Sequence, residues 1–462
     1  MKRIIFTLSI FIAALLTIPV QAQEFSGSWS GVLDARGTLI TFIIHFKENS
    51  GDYTSEFDSP EQSAFGIPFD STNVKGNEVR CIKVDAGIIY EGTLDKGVIK
   101  GTFTQGIMEL PLELERKESG YMEPQRPQTP QEPFPYRSEE VEISNPLAGI
   151  ILRGTLTLPE GQGPFPSAVL ITGSGPQNRD CEVAGHKPFL VLADHLTRNG
   201  IAVLRYDDRG TAGSTGRFDG ATTSDFADDA EAVFEFLRSK PSIDPAKTGL
   251  IGLSEGGLIG PKIAARNGDV GFVVMLAGPA VKGSELLAEQ NEAIGRLAGF
   301  APEYLSEARA LNEKIYAYAM ASSDPEAMLA GAAQFAESTA SEAGGKIAGA
   351  GAKEIESAVS QAANPWVRYF LKYDPEPSLA VIHCPVLALY GGKDVQVPAA
   401  QNQPAAEEIF KRGGVNAEVR VFPECNHLFQ TARTGAVSEY GEMEETMSPE
   451  VLGAVADWIL GL

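Results

Sequence analysis

From about residue 137 onward, unbroken apolar runs alternate with stretches whose apolar positions recur every three or four residues. Residues 168–172, 201–205, 248–253, 272–276 and 386–390 contain almost no polar interruption. Runs of that length and continuity predict strands buried on both faces of a parallel sheet. Between them the helical period predicts helices over 188–199, 224–238, 255–266 and 399–411, and an amphipathic helix over 448–460 closes the pattern. Residues 150–158 read as an early antiparallel strand and 417–421 as a late parallel one. Strand and helix in alternation predict an α/β fold with a doubly wound, mostly parallel sheet over 137–462.

The preceding segment follows another pattern. Over 23–118, short β-branched or apolar runs such as 41–46, 79–84 and 110–114 are separated by turn signals, among them Asn49-Ser50-Gly51-Asp52 and Lys75-Gly76-Asn77. Residues 89–94 and 98–103, joined by Asp95-Lys96-Gly97, read as a hairpin. This predicts a small all-β domain, an antiparallel sandwich or barrel. Trp29 and Tyr53 are the aromatics there that a ligand would meet, although aromatics in small β domains more often build the core. Pro124, Pro127, Pro130, Pro133 and Pro135 follow at intervals of two or three residues, which predicts an extended, semi-rigid linker over 119–136.

Two further segments stand apart. Residues 282–377 are alanine-rich and helical in pattern, broken at Gly344-Gly345 and Gly349-Ala350-Gly351. Loops leaving the carboxyl ends of strands surround the site of an open α/β sheet, so this insert is predicted to be a helical lid. At the amino end, Lys2 and Arg3 precede an apolar run over 4–18, and Val20-Gln21-Ala22 offers small residues for cleavage. That is the pattern of a secretory signal peptide over 1–22, and it predicts an exported protein, periplasmic or extracellular.

Charge and cysteines narrow the classes. The formal charge is −23, and −25 once Lys2 and Arg3 are removed, which argues against nucleic acid or an anionic membrane as partner. Four cysteines are too few and too scattered for a disulfide framework, and no Cys/His spacing suggests zinc. Free thiols and no metal are expected.

The candidate chemistry starts at Ser254, in Gly252-Leu253-Ser254-Glu255-Gly256, between the apolar run 248–253 and a predicted helix. Small neighbours let the backbone turn sharply there and hold the serine out of the sheet. A serine hydroxyl needs a base to take its proton and an acid to orient that base. Of the five histidines, His45 belongs to the β domain, His186 and His195 precede the serine, and His383 opens a strand at the wrong edge. His427 follows strand 417–421 at the correct edge. Asp394 ends strand 386–390 at that edge and falls between the two in sequence. Glu424 is too near His427 to reach its far nitrogen, and Asp374 lies in the hinge of the insert. The third requirement is a pair of amides for an oxyanion. Glu255 supplies one; the other is expected from the glycine loop 173–180 after strand 168–172, from Ser174 first and Gly175 next, with Gly173 and Gly175 supporting the site from behind.

Gly173-Ser174-Gly175-Pro176-Gln177-Asn178-Arg179-Asp180, Asp207-Asp208-Arg209-Gly210-Thr211-Ala212-Gly213-Ser214, Gly252-Leu253-Ser254-Glu255-Gly256-Gly257, Gly392-Lys393-Asp394 and Asn426-His427, in that order, resemble the α/β-hydrolase superfamily. The resemblance covers most of 137–462 and is greatest to bacterial acyl esterases and serine-aminopeptidase-like hydrolases. It implies an α/β-hydrolase sheet with a lid and no cofactor, and it implies that Asp208 and Arg209 brace the site. Thr172 departs from the histidine that many members carry before the glycine, so the second oxyanion donor stays open between Ser174 and Gly175. The function expected is an exported serine hydrolase acting on a small-molecule acyl ester. A peptidase of the serine-aminopeptidase type or an acyl thioesterase would use the same triad. A third class is a binding protein whose β domain contacts a glycan or another protein.

Overall fold

The computed structural model describes residues 25–35, 38–49, 51–59, 64–84, 86–105, 108–116, 125–322, 324–343 and 347–462. The expected signal peptide, Pro124 and the Gly344-Gly345 break lie outside the described residues. The chain forms two compact units, Met1–Tyr121 and Met122–Leu462.

In the first unit, nine strands are seen among the described residues: β1 (Gly27–Ala35), β2 (Thr38–Asn49), β3 (Asp52–Ser59), β4 (Ala64–Pro68), β5 (Ser71–Lys75), β6 (Glu78–Lys83), β7 (Ile88–Asp95), β8 (Val98–Gln105) and β9 (Met108–Arg116). They form one antiparallel sheet in the order β4-β3-β2-β1-β9-β8-β7-β6-β5. The hairpin read from the sequence is β7–β8, paired from Ile88↔Gln105 to Asp95↔Val98. The sheet curls on itself, and Ser55 of β3 meets Thr72 of β5 hydroxyl to hydroxyl at 2.6 Å. One curled sheet makes this a barrel-like domain rather than a sandwich of two. Period-2 alternation sends Trp29, Phe42, Ile44, Phe57, Tyr90, Ile99, Phe103 and Leu112 into its core. Trp29 is a core residue: its indole N–H donates to the Phe25 carbonyl at 2.6 Å. Tyr53 packs edge-on to Phe25, and His45 bridges Ser28 and Asp58.

Among its described residues the second unit has eight strands: β10 (Arg137–Asn145), β11 (Ile150–Leu158), β12 (Phe165–Ile171), β13 (Ala202–Tyr206), β14 (Ile243–Leu253), β15 (Val273–Leu276), β16 (Val386–Gly391) and β17 (Ala417–Phe422). Their order is β10-β11-β13-β12-β14-β15-β16-β17. β10, β11 and β13 are antiparallel neighbours, and β13 to β17 across β12 are parallel. β13, β15 and β16 are buried at every position, as unbroken apolar runs require. Helices α1 (Pro188–Arg198), α2 (Thr223–Arg238) and α3 (Gly256–Ala264) connect the earlier strands. Between β15 and β16 the chain makes α4 (Gly283–Leu297), α5 (Pro302–Ala321), α6 (Pro325–Glu342), α7 (Ala352–Ala362), α8 (Pro365–Lys372) and the short α9 (Glu376–Leu379). This insert has its own core of Leu311, Ile315, Met328, Ala332, Ala336, Ile355 and Val359. Small alanines on facing helices let them pack closely. α10 (Ala399–Gly413) and α11 (Pro449–Leu460) complete the unit.

The division between the units falls inside the proline-rich stretch. Polar side chains between the prolines find carbonyl and amide partners in the second unit.

Candidate active site

The sheet gathers the candidate residues by topology. Ser174 follows β12, Asp208 follows β13, Ser254 follows β14, Asp394 follows β16 and His427 follows β17. In a parallel sheet all five positions fall at one edge, the carboxyl ends of the strands.

The turn at Ser254 is sterically demanding. A Cβ on Gly252 would stand 1.9 Å from the Gly256 carbonyl oxygen, and one on Gly256 would stand 2.2 Å from the Ile171 oxygen. Only glycine allows that approach of strand, turn and helix. Ser254 itself takes φ +55°, a left-handed conformation unusual for serine and costly enough that the surroundings must hold it. Its N–H donates to Leu276 O at 2.8 Å, and its carbonyl accepts Gly257 N–H at 2.8 Å. Residues 248–253 and 255–261 are buried, whereas Ser254 is only half-buried. The strain therefore lifts one hydroxyl above an otherwise closed surface.

Asp394 and His427 meet on neighbouring loops. Nδ1 of His427 donates to Oδ2 of Asp394 at 2.8 Å, and both residues are 5 % exposed. The other carboxylate oxygen accepts the amides of Gln396 (2.7 Å) and Val397 (2.9 Å). The two loops approach backbone to backbone: a Cβ on Gly391 would lie 2.5 Å from the carbonyl oxygens of Cys425 and Asn426. Asn426 shapes the histidine turn by accepting the N–H groups of Leu428 and Gln430, each at 3.0 Å. With Nδ1–H committed to Asp394, the Nε2 of a neutral His427 is left as a proton acceptor.

The glycine loop packs directly on the elbow. A Cβ on Gly173 would come within 3.2 Å of the Ser254 Cβ. Among the described residues, no hydrogen-bond acceptor takes the backbone N–H of Ser174 or of Glu255. Two unspent amides beside a serine suit a developing oxyanion. Asp208 holds this loop: it accepts Thr172 Oγ1–H at 2.8 Å and the Gln177 amide at 2.9 Å. Burial pushes the Asp208 carboxyl up to about 7, and the neighbouring Glu255 adds to the rise. Arg209 braces a different element. Its guanidinium pairs with Asp229 at 2.6 Å and reaches the Asp225 carbonyl on α2.

Some contacts at the site have no local signal in the sequence. The Glu255 side chain turns inward, 2 % exposed, and accepts from Thr223 Oγ1 (2.6 Å) and from the indole of Trp366 on α8 (2.8 Å). Burial raises its pKa above the ordinary 4.5. Through this bond the insert reaches the residue next to Ser254. Gln396 and Tyr440 (Nε2–H to Oη, 2.9 Å) and the buried pair Asn426–Gln430 likewise surround the Asp394–His427 pair. Cys81, Cys181, Cys384 and Cys425 are all free thiols. Among the described residues no cluster of three or more His, Cys, Asp or Glu is arranged to hold a metal ion.

Comparison with known proteins adds a further layer. A family model described as serine aminopeptidase, S33, matches residues 187–335, and one described as the dienelactone hydrolase family matches residues 343–452. The chain is 25 % identical over 312 residues to the esterase EstD of Thermotoga maritima, covering 67 % of this chain and 65 % of that protein. It is 31 % identical over 160 residues to the polyketide transferase claH of Penicillium crustosum, covering 32 % and 46 %. The chain thus matches less than two thirds of the length of either relative. Among solved structures, the Pyrococcus furiosus esterase Pf2001 aligns with 74 % of this chain and 98 % of its own, at 15 % identity and a TM-score of 0.43.

Proposed function

We propose that this chain, an esterase-like hydrolase of the α/β-hydrolase superfamily, cleaves small carboxylic esters through a Ser254–His427–Asp394 triad. The observation that carries this reading is the strained, half-buried Ser254 at the same sheet edge as the buried Asp394–His427 pair. In the proposed reaction His427 Nε2 takes the Ser254 proton as Oγ attacks the acyl carbon. The negative oxygen of the tetrahedral intermediate is held by the amides of Ser174 and Glu255. His427 then returns the proton to the departing alcohol, and the acyl group stays on Ser254. Water, deprotonated by the same nitrogen, hydrolyses the acyl-enzyme and restores the serine. Asp394 fixes the histidine tautomer and stabilises its cationic form throughout.

Substituting Ser254→Ala tests the assignment. Turnover of p-nitrophenyl acyl esters and labelling by a fluorophosphonate are both expected to vanish while the thermal midpoint stays near wild type. Retained turnover would refute the nucleophile. A second reading, peptide cleavage by the same triad, is supported by the serine aminopeptidase match over 187–335; faster cleavage of aminoacyl anilides than of acyl esters would favour it. Export is proposed from residues 1–22, and the mature chain found in the periplasm or medium would then begin at Gln23.

A further inference from the structure

The stretch after Tyr121 does more than connect. Pro127, Pro130, Pro133 and Pro135 restrict its backbone before it docks, so little conformational freedom is lost when it is held. Its far end is pinned by Tyr136, whose hydroxyl donates to Asp194 on α1 at 2.8 Å. Its near end carries Arg126 and Gln128, and both reach the segment 437–448 that follows the His427 turn.

Arg126 donates to three carbonyls: Met443 O (2.5 Å), Gly441 O (2.9 Å) and Ala184 O (3.1 Å). Gln128 makes three bonds with two residues. Its Oε1 accepts the amides of Thr446 (2.5 Å) and Met447 (3.1 Å), and its Nε2–H donates to Met447 O (2.7 Å). The segment so gripped has little regular structure beyond a short 3-10 turn at Val437–Glu442. Side-chain bonds therefore help to decide where it sits.

From that segment two short paths lead to the two halves of the Asp394–His427 pair. On one, Tyr440 accepts Gln396 Nε2–H at 2.9 Å, and the Gln396 amide donates to Asp394 Oδ1. On the other, Glu445 O accepts Gln430 Nε2–H at 2.9 Å, and Ser448 N–H donates to Phe429 O at 2.8 Å. Gln430 in turn takes the Asn426 amide beside His427. Buried His186 ties the paths together, bonding Thr446 Oγ1 and Tyr440 O at 2.8 Å each. Burial, reinforced by Arg126, lowers the His186 pKa to about 4, so it stays neutral and keeps one donor and one acceptor. His186, Asn426, Gln430 and Thr446 show no exposed surface.

We infer that residues 125–136 are a strap belonging to the active site, with Arg126 and Gln128 acting as positioning residues for the Asp394–His427 pair. The inference rests on the assignment of that pair as acid and base. Neither residue touches the reacting atoms. Each fixes, through hydrogen-bonded backbone, the loops that carry them.

The test uses the full chain with Gln128→Ala, Arg126→Ala and the milder Gln128→Glu, which keeps an acceptor for the Thr446 and Met447 amides. Two quantities are read: kcat and KM on a p-nitrophenyl ester, and the rate and endpoint of fluorophosphonate labelling at Ser254. Small displacements remote from the chemistry are expected to lower kcat and the labelling rate roughly ten- to a hundredfold, with KM within about twofold. The labelling endpoint should remain one per chain, and Gln128→Glu should recover part of the rate. A merely structural role would lower the endpoint, the fraction of folded sites, and leave the rate per site unchanged. Wild-type rates in both alanine variants would overturn the inference, as would full rates in Gln128→Glu if the alanine variants fail to fold. Activity retained in His427→Ala would instead overturn the underlying triad.

Discussion

Substituting Asp208→Asn should remove one fall in this unit's stability between pH 5 and pH 8. Asp208 is 8 % exposed and, among the described residues, its carboxylate has no cationic partner; its bonds are to Thr172 Oγ1–H and the Gln177 amide. Burial lifts its pKa from the ordinary 3.8 to about 7. Below pH 3.8 the folded and unfolded chains both hold the proton. Between 3.8 and about 7 the unfolded chain ionises while the folded one does not, so stability falls as pH rises, and it levels off above that window. From pH 5 to pH 8, a range that avoids the isoelectric point near 4.7, the fall is about 3 kcal/mol. Asparagine can keep the acceptor for Thr172 but presents N–H to the Gln177 amide, leaving a buried donor unpaired at a cost of about 1–3 kcal/mol. The variant should therefore be the less stable protein at pH 5 and draw level with or pass the wild type by pH 8. In calorimetry, at roughly 1.5 °C per kcal/mol for a unit of this size, the midpoint difference should move by about 4 °C. Groups remote from Asp208 titrate alike in both proteins, so the difference reports this carboxyl together with the acids coupled to it, Glu255 and Asp229. A separation that stays constant from pH 5 to 8 would show that Asp208 is ionised in the fold throughout, and the reasoning would fail.

Two other substitutions probe the site directly. Asp394→Asn keeps an oxygen for the Gln396 and Val397 amides but turns N–H toward His427 Nδ1, forcing the tautomer whose Nε2 cannot accept a proton; kcat should fall by roughly 10⁴ with little change in KM. Trp366→Phe removes the indole donor to Glu255 while Thr223 stays bonded. The loss of about 1 kcal/mol should quicken amide hydrogen exchange across 365–372 roughly fivefold if this bond anchors α8, and leave it unchanged otherwise.

What the residue pattern shows in advance, and what it does not, divides along a physical line. Ser254, Asp394 and His427 can be placed at one sheet edge because each follows a segment that reads as a parallel strand, and parallel pairing carries those ends together. The elbow glycines announce themselves by spacing, since the turn tolerates no Cβ. The barrel-like closure of the first unit was not decidable, because strands alternate alike in a barrel and a sandwich. Closure hangs on contacts such as Ser55–Thr72. Glu255 and Trp366 are 111 positions apart, and an inward-turned glutamate looks in sequence like any solvated one. The strap is the sharpest case. Proline every two or three residues sets an extended backbone in either role, spacer or strap, so the prolines carry no information on which. The choice is made by whether Arg126 and Gln128 meet acceptors, and the Arg126 partner at Gly441 lies 315 positions downstream. Local period thus places the chemistry, and long-range polar pairing decides how firmly it is held.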